Sequence, residues 1–363
     1  MKRRLALAGA GGVVALGAAA FTARAMGGMD AYERDAASLR APLPVPSGMA
    51  DLVRHATLAP NGHNTQPWRF RLRADGVDML PDLTRRTAVV DPDDHHLFVS
   101  LGCAAENLAL AAGASGRPGQ VRFDPAEGGS IAFRFGDAPV SAHELAAAIT
   151  RRQSTRAEFD GSTVVGADLA TLAAAAAEPG VDLVLLTDRP RIDQLRDLVV
   201  AGNTAQLGDP AFMDELTHWL RFNPRAAMAH GDGLFSGASG RPALPSWLGP
   251  TLFRTLTSAA SDNDSYARQI RSSAGVAVFV GARADPEHWV RVGRACQRFA
   301  LQATALGLRC AFINQPVEVA ALRPALAGIL GLPGRRPDIV LRFGRGPVLP
   351  YSLRRPVADV VLA

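Results

Sequence analysis

Ala59-Pro60-Asn61-Gly62-His63-Asn64-Thr65-Gln66-Pro67-Trp68-Arg69-Phe70 is the stretch on which the reading of this chain turns. Helical spacing precedes it from Met49 to Leu58, and strand-like residues run from Pro67 to Leu72, so a polar loop joins a helix to a strand. Such a loop offers backbone N–H groups, the amides of Asn61 and Asn64, and close backbone approach at Gly62. Together these suit the edge of a flat heterocycle that carries both donors and acceptors. The plainer reading is a helix stop and a strand start, with Trp68 in the core.

Outward from this loop, Val77 to Leu80 completes a hairpin across Asp75-Gly76. Leu97 to Gly113 is a long apolar helix, Gly119 to Phe135 holds two short strands, and His143 to Arg151 is helical. Helices are expected at Leu169 to Ala177, Ile192 to Gln206 and Pro210 to Leu220, and apolar strands at Val181 to Leu186 and Val276 to Val280. The last third gives a helix from Pro286 to Leu306, a strand at Cys310 to Ile313, a helix from Val317 to Leu330 and a strand at Asp338 to Phe343. The class is α+β, with helices around a mostly antiparallel sheet. Laid on 292–307, residues 101–116 are identical at seven of 16 positions. This hints at two related halves, 47–140 and 141–363, packed like the subunits of a dimer.

With 363 residues, 48% of them hydrophobic, the chain can bury a sizeable core. Its formal charge of +5 includes Lys2, Arg3, Arg4 and Arg24, so without them it would stand near +1. A nucleic-acid partner, which calls for clustered cations on the folded body, is not expected. Cys103, Cys296 and Cys310 form no CxxC and no Cys/His metal spacing, and read as small buried hydrophobes.

Residues 1–25 read as an export signal or a membrane anchor. Lys2-Arg3-Arg4 precedes an uncharged run from Leu5 to Ala23, and Ala23-Arg24-Ala25 suits cleavage. The paired arginines resemble a twin-arginine (Tat) signal, so export to the periplasm or cell envelope is expected; the apolar run is also within the range that spans a bilayer. Residues 26–46, with Pro42, Pro44 and Pro46, read as a linker.

Two cationic segments stand out further along. Arg151-Arg152-Gln153-Ser154-Thr155-Arg156 places three guanidiniums and two hydroxyls within six residues, an anion site if they converge and a solvated face if they do not. Tyr351-Ser352-Leu353-Arg354-Arg355-Pro356 follows the final strand. Between them lies a Gly/Pro-dense insertion, 221–250, read as a lid over something apolar through Phe222, Phe235 and Trp247. His95-His96 invites a metal reading, but neighbours on a helix diverge and no third ligand is evident, so no metal is expected.

Taken together, these segments resemble the nitroreductase superfamily of FMN oxidoreductases. The loop is similar to its Ala-Pro-Ser-x-x-Asn-x-Gln-Pro-Trp segment, and Arg152 to Phe159 to its Arg-x-Ser-x-Arg/Lys segment followed by Phe. Here the Gln-Pro-Trp loop comes first, and each motif occurs once. That order resembles the fused, double-length Acg-type members, in which one chain imitates the dimer with a single flavin site and a lid covers the FMN. The resemblance implies FMN as cofactor. Arg152, Ser154 and Arg156 would lie along its phosphate, ribityl chain and N1/C2-carbonyl side. Asn61, Gly62 and Asn64 would lie along the pyrimidine portion, with Arg354 or Arg355 at the phosphate. Gln315, opening Gln315-Pro316-Val317-Glu318, falls where the family has a loop near N5, although Val319 replaces the usual glycine. The implied reaction is NAD(P)H-dependent two-electron reduction of a nitroaromatic, quinone or similar small acceptor, by a monomer equivalent to a dimer. The alternative is a flavin-storage protein with a closed lid.

Overall fold

The computed structural model describes residues 24–137 and 143–362. The export signal, but for its last two residues, lies outside the described residues. In chain order the first part comprises α1 (Met29–Leu39), α2 (Met49–Thr57), β1 (Trp68–Arg73), β2 (Gly76–Pro81), α3 (His95–Ala114), β3 (Gly119–Asp124), β4 (Ser130–Phe135) and α4 (His143–Ala148). The second comprises α5 (Gly166–Ala175), β5 (Val181–Leu186), α6 (Arg189–Leu207), α7 (Pro210–Trp219), β6 (Leu220–Arg221), α8 (Pro224–His230), β7 (Leu234–Phe235), α9 (Gly249–Leu256) and α10 (Ala259–Arg271). It continues through β8 (Gly275–Gly281), α11 (Pro286–Ala305), β9 (Arg309–Phe312), α12 (Gln315–Glu318), α13 (Arg323–Leu330), β10 (Ile339–Gly344) and α14 (Val357–Val360).

Each part builds a four-stranded antiparallel sheet, β1-β2-β4-β3 and β5-β8-β10-β9. The central strands β8 and β10 are buried along their whole length, as their unbroken Val, Ile and Phe runs require. Among the described residues α3 alone is long and apolar enough to cross a membrane, yet it is buried inside the protein.

Helices α3 and α11 cross at the centre of the molecule. A Cβ on Gly102 would lie 2.1 Å from the Val290 carbonyl oxygen, and one on Gly293 would lie 2.0 Å from that of Val99. Gln297 donates to Asn107 at 2.6 Å and Arg298 to Glu106 at 2.9 Å. Val290, Gly293, Gln297 and Arg298 stand 191 positions after Val99, Gly102, Glu106 and Asn107, the offset of the 101–116 and 292–307 alignment. The contacts are reciprocal under that offset: Gly102 meets Val290 while Val99 meets Gly293, and Glu106 meets Arg298 while Asn107 meets Gln297. Reciprocity of this kind is the geometry of a two-fold interface.

The structure corrects three expectations. The 26–46 linker contains α1, whose Met29, Tyr32 and Ala36 share one face; Tyr32 is fully buried among Phe235, Ala227 and Leu353. Val317 to Leu330 is not one helix. It is a turn at α12, a 3-10 turn at Ala320–Leu322, and α13, because Pro324 lacks the N–H that an uninterrupted helix would use. Within 221–250 Phe222 and Phe235 are buried, whereas Trp247 is 78% exposed and so does not cover the cavity as expected.

Candidate functional site

A cavity of about 640 Å³ opens where the Gln-Pro-Trp loop meets elements of the second half. Asn61, Gly62 and His63 form one wall, Gln315 and Glu318 of α12 another, and Arg156 reaches in from between. The 221–250 insertion closes it with Phe222, Leu234, Phe235 and Leu244, and α9 adds Leu252 and Phe253.

The loop is held in an unusual backbone. His63 (φ 45°), Asn64 (φ 55°) and Gln66 (φ 55°) all take left-handed conformations, which cost free energy in residues that carry a Cβ. The surroundings fix this shape. Gln66 N donates to Asn61 Oδ1 at 2.8 Å, Asn64 Nδ2 to the Gly233 carbonyl at 3.0 Å, and Gln66 Nε2 to the Gly231 carbonyl at 2.8 Å. Arg85 and Arg221 both bind Asp232 between those carbonyls, so the loop and the insertion are stapled together. A Cβ on Gly62 would meet no protein atom within 4 Å. The glycine leaves that space to whatever fills the cavity.

The Arg152–Arg156 segment runs beside β9: Ser154 bridges to Cys310, and Thr155 N donates to the Cys310 carbonyl at 2.8 Å. Arg342, fully buried in β10, donates to the carbonyls of Thr155 at 3.1 Å and Ala157 at 2.8 Å and so clamps the backbone on either side of Arg156. The Arg156 guanidinium forms no ion pair with any described residue. Its side chain is exposed toward the open cavity rather than buried in the core. Gln315 and His63 belong to the walls of this cavity, but the Gln315 Oε1 and His63 Nδ1 atoms themselves are shielded from it, and Tyr266 stands beside Gln315.

The predicted site residues thus divide. Asn61, Gly62, Arg156 and Gln315 line the cavity; Arg152, Ser154, Asn64, Arg354 and Arg355 do not. The Asn64 amide is spent on the insertion, and Ser154 joins β9 through its backbone. Arg354 caps the last carbonyls of α2, donating to Leu58 at 3.2 Å and Ala59 at 3.0 Å, and to Asn64 Oδ1 at 2.9 Å. Arg152 donates to the same Leu58 carbonyl at 2.9 Å and leaves its Nε unpartnered. Arg355 turns away to the Asp359 carbonyl at 2.7 Å and lies 3.9 Å from Asp82. Two residues that the sequence reading passed over emerge: His63, adjacent to the recognised amides, and Arg342, whose signal was a single charge inside the apolar run Ile339 to Phe343.

The third donor missing beside His95 and His96 is present in space, since Asp91 brings the ligand atoms of the three within 4.8 Å. Those donors are otherwise engaged. The Asp91 oxygens accept from His96 N and Leu97 N, both at 3.0 Å, at the start of α3, and His95 Nε2 lies 2.9 Å from Asp338.

Three histidines are held neutral. Burial pushes His55, His63 and His95 down to about 4, aided at His55 by Arg54 and at His63 by Arg156. In the unfolded chain the same imidazoles titrate near 6.5, so acid favours unfolding. The stability they contribute is whole above that pH and is lost as pH falls toward about 4. The urea midpoint is therefore expected to be lower at pH 4.5 than at pH 7, and His55→Gln should flatten the slope. A midpoint that stays level over this range would contradict the burial of these rings as neutral groups.

No family model matches the chain. Over 324 residues it is 30% identical to a Mycobacterium tuberculosis H37Rv protein named as an NAD(P)H nitroreductase, Rv3131, covering 84% of this chain and 88% of the relative. It is 26% identical over 347 residues to the protein of the same strain named as the NAD(P)H nitroreductase acg, covering 85% and 93%. Among solved structures, a nitroreductase with bound FMN from Desulfitobacterium hafniense aligns with TM-score 0.40 at 14% identity, over 61% of this chain and 98% of that one. The FMN-dependent nitroreductase NfnB of Mycobacterium smegmatis in complex with NADPH aligns with TM-score 0.38 at 14% identity, over 56% and 87%. By its likeness to Rv3131 and acg, the chain belongs to the nitroreductase superfamily and is of the Acg type.

Proposed function

We propose that the chain is an FMN-binding oxidoreductase that takes reducing equivalents from NAD(P)H and passes them to a nitroaromatic, quinone or similar small acceptor. The observation that carries this reading is the unpaired Arg156 guanidinium sharing one cavity with Asn61, Gly62 and the Gln315 side chain. These groups fit the polar edge of a flavin, which needs donors, acceptors and a cation beside N1 and the C2 carbonyl. Bound FMN would supply the hydride chemistry, accepting two electrons from the nicotinamide and releasing them to the acceptor. Arg156 would favour electron uptake by placing positive charge where negative charge grows. Gly62 would let the ring approach the loop, the neutral His63 would add no second charge, and the insertion would keep bulk water from the ring.

The reciprocal α3–α11 contacts support an internal duplication, with one chain doing the work of two subunits and holding one flavin. The presequence supports export by a Tat-like route. Flavin released from purified protein should approach one per chain. NADPH added without oxygen should bleach its visible absorbance, and a quinone should restore it. A flavin that stays oxidised under NADPH and NADH would leave storage as the function; protein unable to hold any flavin would remove both readings.

A further inference from the structure

We propose that Glu318 gives the electron acceptor its proton and that His96, beside it in the cavity wall, returns one to Glu318. This rests on the flavin reading above and adds the one component that a hydride transfer leaves unsupplied.

The chemistry sets the requirement. A quinone that gains a hydride becomes the hydroquinone monoanion, and one proton on its second oxygen completes the product. A nitro group that gains a hydride likewise needs one proton to lose water and become a nitroso group. Under an insertion that keeps bulk water away, the cavity wall is the place from which to draw that proton.

Among the described residues two carboxyl groups line the cavity, Asp262 and Glu318. Asp262 is committed to Arg241, which donates to it at 2.8 Å. Glu318 meets no arginine: its Oε2 accepts from Gln206 Nε2 at 2.6 Å, and its Oε1 lies 3.8 Å from His96 Nδ1. His96 Nε2 lies 3.4 Å from the Asp338 carbonyl, which only accepts, so Nε2 carries the ring hydrogen and a neutral His96 turns its bare Nδ1 to Glu318. Gln206, His96 and Glu318 all line the cavity, and the Glu318 side chain, 20% exposed, can meet a bound molecule. Glu318 closes the short helix α12 that Gln315 opens, so the carboxyl stands on the wall already assigned to the ring.

The surroundings favour a carboxyl that keeps its proton. Glu318 is faced by His96 of α3, Asp91 just before that helix, Glu215 of α7 and Tyr266 of α10, while Arg323 of α13 is turned to the Val317 carbonyl at 2.7 Å. Enclosure in the wall raises the carboxyl above its ordinary range, and Asp91 and Glu215 add to the rise against the pull of His96 and Gln206. The other acids in the wall fit less well. Burial raises the Tyr266 phenol, and His63 is neutral at pH 7. In the step itself the Glu318 O–H bond breaks as the O–H bond of the product forms, which leaves the carboxylate. His96, protonated at Nδ1 by water, then restores the acid.

The test compares the FMN-loaded wild type with Glu318→Gln, which keeps the shape and the Gln206 contact but has no acidic proton. The variant should hold FMN as the wild type does and be bleached by NADPH at the wild-type rate, since that half of the cycle needs no added proton. Its reoxidation by a quinone, followed by stopped flow, should be slower by about a hundredfold, the low end of what a general acid supplies. The wild-type reoxidation rate should fall as rising pH strips the carboxyl, and the variant should lack that fall. Glu318→Asp should recover part of the rate. A readout apart from turnover is the infrared carbonyl band of a protonated carboxyl, which base should remove from the wild type and which Glu318→Gln should lack. Reoxidation of Glu318→Gln at the wild-type rate, or a band common to both proteins with none lost in the variant, overturns the proposal and leaves the flavin reading standing. Loss of FMN, or equal slowing of both halves of the cycle, would mean that Glu318 only supports the site and overturns it as well. A wild type that holds no flavin overturns the flavin reading and this one with it. Should Glu318→Gln not fold, Glu318→Asp and His96→Gln carry the same comparison of the two halves.

Discussion

Arg156→Glu should yield a folded protein almost free of flavin, and Arg156→Gln one that retains only part of it. The side chain projects into the cavity and pairs with no described carboxylate, so its removal orphans no partner and should move the melting temperature little. Its backbone is fixed independently: Arg342 grips the carbonyls of Thr155 and Ala157, and Gln269 Nε2 donates to the carbonyl of Arg156 at 3.3 Å. A hydrogen bond from a charged donor contributes about 1.5–3 kcal/mol, or roughly ten- to 150-fold in affinity, which Gln forfeits in part. Glu goes further, because it sets a carboxylate against the electron-rich edge of the ring. The ratio of flavin to protein absorbance in purified samples, read beside a melting curve, decides the matter. Flavin content equal to wild type in Arg156→Glu would remove Arg156 from the ring's surroundings and take with it the observation on which the proposed function rests.

Much of this arrangement was legible in the chain because its signals are local. The Asn61–Gln66 loop, the run of arginines from Arg151 and the individual strands each show in a dozen residues or fewer, through turn chemistry or apolar alternation, whereas their division into two sheets does not. What was hidden depends on tertiary contact. Helix α1 mixes Asp30, Glu33, Arg34 and Asp35 with few apolar residues, and its one buried face becomes visible only when Phe235 and Leu353, more than 200 positions away, come to cover Tyr32. The direction in which a guanidinium points is set by the carbonyls it finds. The sequence places Arg152, Arg354 and Arg355 in cationic segments, but not two of them on the Leu58 oxygen and the third beside Asp82. Asn64 shows the same limit: its amide suits a ligand edge, and the insertion claims it.

The largest loss of stability is expected where residues 101–116 pack against residues 292–307. Gly102→Ala and Gly293→Ala each place a methyl about 2 Å from a carbonyl oxygen of the opposite helix, at Val290 and Val99. Both obstacles are backbone carbonyls near the start of buried helices, so no side chain can swing away and α3 and α11 must separate. Ordinary overpacking costs about 1–3 kcal/mol, and a clash with rigid backbone falls at the upper end or above, so about 3 kcal/mol is expected for each. For a chain of this size that lowers the melting temperature by roughly 6–12 °C. Because the two glycines sit at one crossing, separation forced by the first methyl makes room for the second, and the double variant should lose clearly less than the sum. Gly328→Ala is the control: it lies in α13 with nothing within 4 Å of its Cβ, where alanine should be neutral or slightly stabilising through helix propensity. Gly102→Ala and Gly293→Ala variants that melt with the wild type, or whose losses add in full, would contradict a close reciprocal crossing and with it the case for two superposable halves.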